Sequence, residues 1–184
     1  REAIVNSDIS VSEKIVKLLE DCRQDGTKPF SILARLGFIS SILMKSLLKK
    51  DVITNEEYHD FFGTIQTVAT DFVEDLKKVT LKLEMSKNEF IKKYGHLRPG
   101  TYDILSPRYD EAYENYFGFS NNEVCYNNDE FKFSNDQIKK IEALIFKNKL
   151  KTNAKNLIKF IIEAIEGREY TKFIFTKSLS KVLQ

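Results

Sequence analysis

The stretch Phe90–Glu111, FIKKYGHLRPGTYDILSPRYDE, decides how the rest of the chain is read. It holds two of the three prolines, Pro99 and Pro107, two of the seven glycines, Gly95 and Gly100, and one of the two histidines, His96. Each proline turns the residue before it away from helix, so about a dozen residues must run as turns and extended pieces. On both sides the apolar residues recur at three- and four-residue intervals, the period of a helix buried on one face. The pattern predicts an all-α protein, an irregular antiparallel bundle of about five to seven helices around one long Pro/Gly-containing loop. A polar loop between apolar helices is also where such a fold would place its chemistry.

Outward from that loop, four local signals mark helix starts: Ser10-x-x-Glu13, Thr54-x-x-Glu57, Ser86-x-x-Glu89 and Ser134-x-x-Gln137. Each has the capping-box form, in which the first side chain satisfies an orphan amide and the fourth reaches back. The expected helices run from Ser10 to about Cys22, ended by Asp25-Gly26, then from near Pro29 to Lys49. A long helix over about 55–84 and a short one stopping at Tyr94-Gly95 follow, with Gly95 suited to a left-handed C-cap. The last two run from Ser134 to near Lys149 and from Asn153 to the chain end. The second of these helices is apolar nearly all round (Ile32, Leu33, Leu36, Phe38, Ile39, Ile42, Leu43, Met44, Leu47, Leu48), which predicts burial on more than one side. Residues 1–9 read as a strand or linker, and 118–133, with Asn121-Asn122 and Asn127-Asn128-Asp129, as a mobile surface loop.

At 184 residues and 42% hydrophobic content, one helical domain, 1–184, is expected. It starts Arg1-Glu2 without an initiator methionine, as a fragment of a larger multidomain protein would. Basic and acidic residues nearly balance, 29 against 27, so neither nucleic acid nor an anionic membrane is expected as a partner. The basic run Lys147 to Lys155 reads as a solvated helix face. Cys22 and Cys125 are too few for a disulfide scaffold and read as free thiols of a cytoplasmic protein. No apolar run reaches the about 18–20 residues of a membrane span, since Arg35 and Lys45 interrupt Phe30–Leu48.

The loop offers several chemistries. Gly95-x-x-x-x-Gly100-Thr101 has the glycine spacing of a phosphate-binding loop but lacks its lysine and follows a helix rather than a strand. His96 with Asp103 or Glu111 could form an acid–base pair. A metal held by His96, Asp103 and Asp110 has no recognised ligand spacing, so none is expected. Alternatively, His96, Arg98, Asp103 and Arg108 hydrogen-bond the turns and one another and only brace the loop. On the last helix, Arg168 and Lys172 lie one turn apart and could clamp an anion, or serve as ordinary surface charges.

Lys93–Glu111, KYGHLRPGTYDILSPRYDE, resembles a segment in the middle region of enzymes like phosphoenolpyruvate synthase and rifampicin phosphotransferase. The match lies at Tyr94, Gly95, His96, Gly100, Asp103, Pro107, Arg108 and Tyr109. It departs at Leu97, where the antibiotic kinases more often carry arginine, and at Thr101-Tyr102, where they carry a glutamate. Gly167–Lys177 resembles the helix that follows in the same region. The resemblance implies the acceptor-binding helical domain of an ATP- and Mg2+-dependent phosphotransferase. Its partners would be an ATP-grasp domain and a swivelling phosphohistidine domain of the same parent chain, together with a small-molecule acceptor. His59 follows Tyr58 and His96 follows Gly95, so neither matches the carrier histidine, and this chain alone is expected to be inactive. By the same resemblance His96 is the candidate catalytic base, with Asp103 or Glu169 orienting it. Arg98, Arg108, Tyr109, Arg168 and Lys172 are the candidate acceptor-binding residues. A helical scaffold with a purely structural loop is the alternative.

Overall fold

Helix starts follow from short-range chemistry, and all four capping boxes form in the computed structural model. Ser10, Thr54, Ser86 and Ser134 each accept from the backbone amide three residues on, and Glu13, Glu57, Glu89 and Gln137 return the bond. The structure describes every residue except Thr101, Tyr102, Ile104, 119–130 and Gln184, and the side chain of Lys181. Among the described residues the chain is all-α. Its helices are α1 (Glu2–Val5), α2 (Val11–Asp21), α3 (Lys28–Lys49), α4 (Asn55–Gly63), α5 (Val68–Thr80), α6 (Lys87–Tyr94), α7 (Tyr113–Phe117), α8 (Asn135–Lys147) and α9 (Ala154–Val182). Most of the expected surface loop lies outside the described residues. At its near edge, Phe131 and Phe133 pack their rings on Phe61, so those two positions are anchored.

Four local expectations are corrected. Residues 2–5 form a helical turn rather than a strand or linker. Asp25-Gly26 does not end a helix: Cys22–Thr27 makes a π turn that carries α2 directly into α3. The wider turn moves the amide of Lys28 onto the carbonyl of Arg23. That rearrangement suits a helix that must absorb Pro29, which has no amide to donate and would clash in an unbroken α ladder. The expected helix over 55–84 breaks after Gly63, where glycine is followed by the β-branched Thr64 and Ile65, all poor helix formers. The chain leaves the helix there and buries Ile65 to 4% exposure.

Gly95 is not left-handed either; its φ is −56°. It is glycine because of crowding: a Cβ there would lie 2.8 Å from Cβ of Asp110. The left-handed caps fall instead to Asp51, Lys82 and Lys149, with φ of 53°, 53° and 54°. At each, the amide of the next residue reaches back to the carbonyl five before it, Val52 to Leu47, Leu83 to Lys78 and Leu150 to Ile145. These bonds satisfy carbonyls that a helix end leaves orphaned.

The backbone divides into two compact units. Unit one comprises 1–31, 68–124 and 169–184, and unit two comprises 32–67 and 125–168, so α3 and α9 contribute to both. The core of unit two is aliphatic: Met44, Leu47, Val52, Ile53, Ile65, Ile141, Ile145, Ala154, Ile161 and Ile165 close around Phe61. Two capping boxes are joined there, because Gln137 Nε2 donates to Glu57 Oε1 at 2.9 Å while Glu57 Oε2 holds the Thr54 amide at 2.8 Å. Glu57→Ala removes a cap and strips Gln137 of its acceptor at once. We expect a loss of about 1–2 kcal/mol in urea melts, with a coupling of about 0.5–1 kcal/mol to Gln137→Ala in a double-mutant cycle.

The expectation that α3 is buried on several sides is also corrected. Met44 and Leu47 enter the core, but Ile32, Phe38, Ile39 and Ile42 are 59%, 62%, 47% and 62% exposed. The expectation that no apolar run reaches the length of a membrane span is corrected too: α2 and α3 are continuous, and the helical run Val11–Lys49 contains a window long and apolar enough to cross a membrane. That describes length and composition only, and only 22% of the window is buried.

Candidate functional site

Unit one is built on rings. Phe90 and Tyr94, four apart on α6, are both 0% exposed. Phe72 of α5 lies 5.2 Å from the Phe90 ring and 5.0 Å from that of Tyr94. Phe117 of α7 lies 5.7 Å from Phe90, and Phe173 of α9 lies 5.9 Å from Tyr94. The loop after α6 is thereby held by α5, α7 and the second half of α9.

A buried carboxylate, Asp75, lies against this ring core. The Tyr94 hydroxyl donates to Asp75 Oδ2 at 2.8 Å, and Lys93 Nζ reaches the same oxygen at 2.7 Å. Burial pushes the Asp75 carboxyl up, but the bonds from Lys93 and Tyr94, the Lys93 charge and Lys78 outweigh it and hold it below the usual range. Asp75 was not singled out from sequence. Its signal is there: it stands three residues after Phe72 and four before Val79, on the apolar face of α5, where a charge must find partners.

The loop carries its own frame. The Tyr109 amide donates to the Leu97 carbonyl at 2.8 Å, and the Asp110 amide to that of Gly95 at 3.1 Å. Arg108 is 8% exposed. Its Nε and Nη2 bond the two carboxylate oxygens of Asp110 at 2.8 and 2.9 Å, and Nε lies 3.3 Å from Glu111. Its Nη1 stands 3.5 Å from Ser180 of α9. The Asp103 carboxylate accepts from the Leu105 amide at 2.9 Å and the Ser106 hydroxyl at 2.8 Å, closing its own turn. Arg98 Nη1 donates to the Asp103 carbonyl at 3.2 Å. The Tyr109 ring packs between Phe117 at 5.0 Å and Tyr116 at 5.3 Å.

His96 is placed differently. Its ring meets that of Phe173 at 4.8 Å, edge to face. Its Nε2 is buried with no hydrogen-bond partner among the described residues. Burial, then the positive charge of Lys177, push its pKa down to about 4 against the Phe173 carbonyl, and Arg108 adds to the fall. The ring is therefore neutral at pH 7, and its unpartnered Nε2 is open to a hydrogen bond from a ligand. His96 lines a cleft of about 20 Å³ with Leu97, Arg98, Thr176, Leu179, Ser180 and Leu183, room for one water molecule. A second, open cleft of about 470 Å³ shares Arg98 and Leu183 and adds Leu105, Ser106, Pro107, Arg108 and Glu111.

The structure thus brings His96, Arg98 and Arg108 to adjoining clefts, and turns Asp103 and Tyr109 to shaping the loop. The α9 side chains that pack on His96 or line its cleft are Phe173, Thr176, Leu179 and Ser180. Lys172 is exposed and Glu169 half-buried. Arg168 belongs to unit two, where its stem fills the space that a Cβ on Gly37 would need. Thr176 and Ser180 were missed from sequence because an isolated hydroxyl on a long amphipathic helix carries no signal of what faces it. No group of three or more His, Cys, Asp or Glu able to hold a metal ion occurs among the described residues.

Because the folded pKa of His96 lies below the ordinary value of about 6.5, the unfolded chain binds more protons between the two. The neutral ring's contribution is therefore complete above about pH 6.5 and is lost as pH falls toward 4. Stability should fall by about 1–3 kcal/mol across that window, and His96→Gln should flatten this part of the curve, as read by urea melts at stepped pH. Comparison of the chain with protein-family models, with curated proteins and with solved structures gives no match in any of the three.

Proposed function

We propose that this chain is the helical acceptor-binding domain of a phosphoenolpyruvate synthase-like, ATP-dependent phosphotransferase, with the small-molecule acceptor in the clefts at His96 and Arg98. The observation that carries the binding site is the His96 ring, packed on Phe173 with its buried Nε2 unpartnered beside a cleft. The resemblance of Lys93–Glu111 supplies the reaction class. In this reading His96 accepts a hydrogen bond from an acceptor hydroxyl. Its low basicity suits orienting that group more than carrying its proton. Arg98 contributes positive charge toward a phosphoryl or carboxylate group. Arg108, Asp103 and Tyr109 hold the loop in shape. ATP, Mg2+ and the phosphohistidine belong to other domains of a cytoplasmic parent enzyme, so the purified chain should not hydrolyse ATP.

The test is an NMR titration of the His96 ring with inorganic phosphate and with phosphoenolpyruvate. Ring shifts should saturate below about 10 mM and disappear in Arg98→Ala. A ring that stays silent to both ligands, or ATP hydrolysis by the isolated chain, would refute the proposal. A second reading, a helical scaffold whose loop is only a brace, is favoured by the bidentate pairing of Arg108 with Asp110. It predicts the silent ring.

A further inference from the structure

The turn between α8 and α9, within unit two, carries exposed lysines and apolar side chains side by side in sequence. Residues 143–162 contain five lysines and no acidic residue, while the whole chain carries only +2. The rest of the protein is therefore acidic on balance. Lys147, Lys149, Lys151 and Lys155 are exposed. None of the four makes an ion pair among the described residues. By contrast, Lys140 is paired with Asp136 at 2.8 Å and Lys159 with Glu163 at 3.6 Å.

Amid these ammonium groups stand two apolar side chains. Phe146, in the last turn of α8, is 86% exposed, and Leu150, in the turn itself, is 46% exposed. Neighbours on the helix go inward: Ile145 is 4% exposed and Ile141 0%. Leu150 has part of an internal explanation, since its amide closes the helix onto the Ile145 carbonyl and the residue at that position commonly packs back on the helix. Phe146 has none. Lys147 fits the negative end of the α8 dipole, but Lys149, Lys151 and Lys155 lie beyond that helix.

We propose that the α8–α9 turn is a docking surface for an anionic lipid bilayer, with Phe146 and Leu150 entering the interface and the four lysines facing headgroup phosphates and carboxylates. The chemistry favours lipid over nucleic acid. Leucine has no ring face on which a base can stack, and arginine, the usual partner of bases and paired phosphate oxygens, is absent from residues 143–162. Exposed apolar residues interleaved in sequence with exposed lysines fit a headgroup boundary, where aliphatic carbons are buried and ammonium groups stay wet. Charge and apolar insertion together supply the two signals that reversible bilayer binding needs. This inference is independent of the His96 clefts.

The chain has no tryptophan, so Phe146→Trp introduces a single fluorescent probe at an exposed site. The experiment adds that variant, and separately the wild-type chain for co-sedimentation, to vesicles of phosphatidylcholine containing about 30% phosphatidylserine and to vesicles of phosphatidylcholine alone. Expected are a blue shift and co-sedimentation on the anionic vesicles only, reversed by about 0.5 M salt. Lys149→Glu with Lys151→Glu should weaken partitioning at least about tenfold with the helical circular dichroism unchanged. The proposal is overturned by any of four results: no binding to the anionic vesicles, equal binding to both compositions, wild-type partitioning of the charge-reversed variant, or tighter binding to a single-stranded oligonucleotide than to the anionic vesicles.

Discussion

Phe90→Ala is expected to lower the unfolding free energy by about 3–5 kcal/mol, the largest effect of any substitution considered. The ring is 0% exposed and is surrounded by other rings, Tyr94 at 5.0 Å, Phe72 at 5.2 Å, Phe117 at 5.7 Å and Tyr113 at 6.2 Å. Rigid rings cannot collapse into the vacated space, so the cavity term adds to the lost transfer term. Each aromatic pair adds about 0.5–1.5 kcal/mol beyond its buried area. Phe146→Ala, at an 86% exposed site, is the control and should stay within about 0.5 kcal/mol of the parent. Urea melts of the two variants check the contrast. A Phe90→Ala loss below about 1 kcal/mol would mean that the ring cluster adds little to the stability of unit one.

Arg108→Ala is the second large effect, about 2–3 kcal/mol of destabilisation. The guanidinium is buried and forked onto Asp110, and its loss leaves the Asp110 and Glu111 carboxylates beside each other without a counter-charge. Those side chains are 30% and 52% exposed, so water screens part of the penalty and the loss stays below that of a fully buried pair. Arg108→Lys keeps the charge and loses the fork, and should recover less than half of the loss. The same variant separates the two readings of the loop. If Arg108 braces while His96 and Arg98 bind, Arg108→Ala loses stability, and its folded form still shows the His96 ring response to phosphate. Unchanged stability with a lost ring response would make Arg108 itself the ligand clamp.

Much of the secondary structure was legible because its signals are short-range. A Ser or Thr followed three residues later by Glu or Gln completes its bonds within one turn, so no distant residue can change the outcome. The apolar periodicity of α8 and α9 was readable for a similar reason. What the loop's side chains do was less legible. Arg98, Arg108, Asp103 and His96 were all marked, but residue type alone does not separate the arginine whose fork is filled by Asp110 from the histidine whose Nε2 is unfilled. That distinction depends on which atoms the folded chain brings within 3 Å.

By itself, the sequence determined the helical class, the four capped starts and the place of a polar, turn-rich segment within Phe90–Glu111. The tertiary structure decided where helices join and break, since Asp25-Gly26-Thr27 continues through a π turn while Gly63-Thr64 stops. It decided that Gly95 is glycine for lack of room beside Asp110 rather than for a left-handed φ, and that lysines and an aspartate take the left-handed caps. It also decided which turns of α9 face the His96 loop, and it left Phe146 exposed and Lys147, Lys149, Lys151 and Lys155 without an ion pair among the described residues. Local rules fix conformation over a turn or two. Burial, crowding and the pairing of charges depend on neighbours distant in sequence, and those are set only when the chain packs.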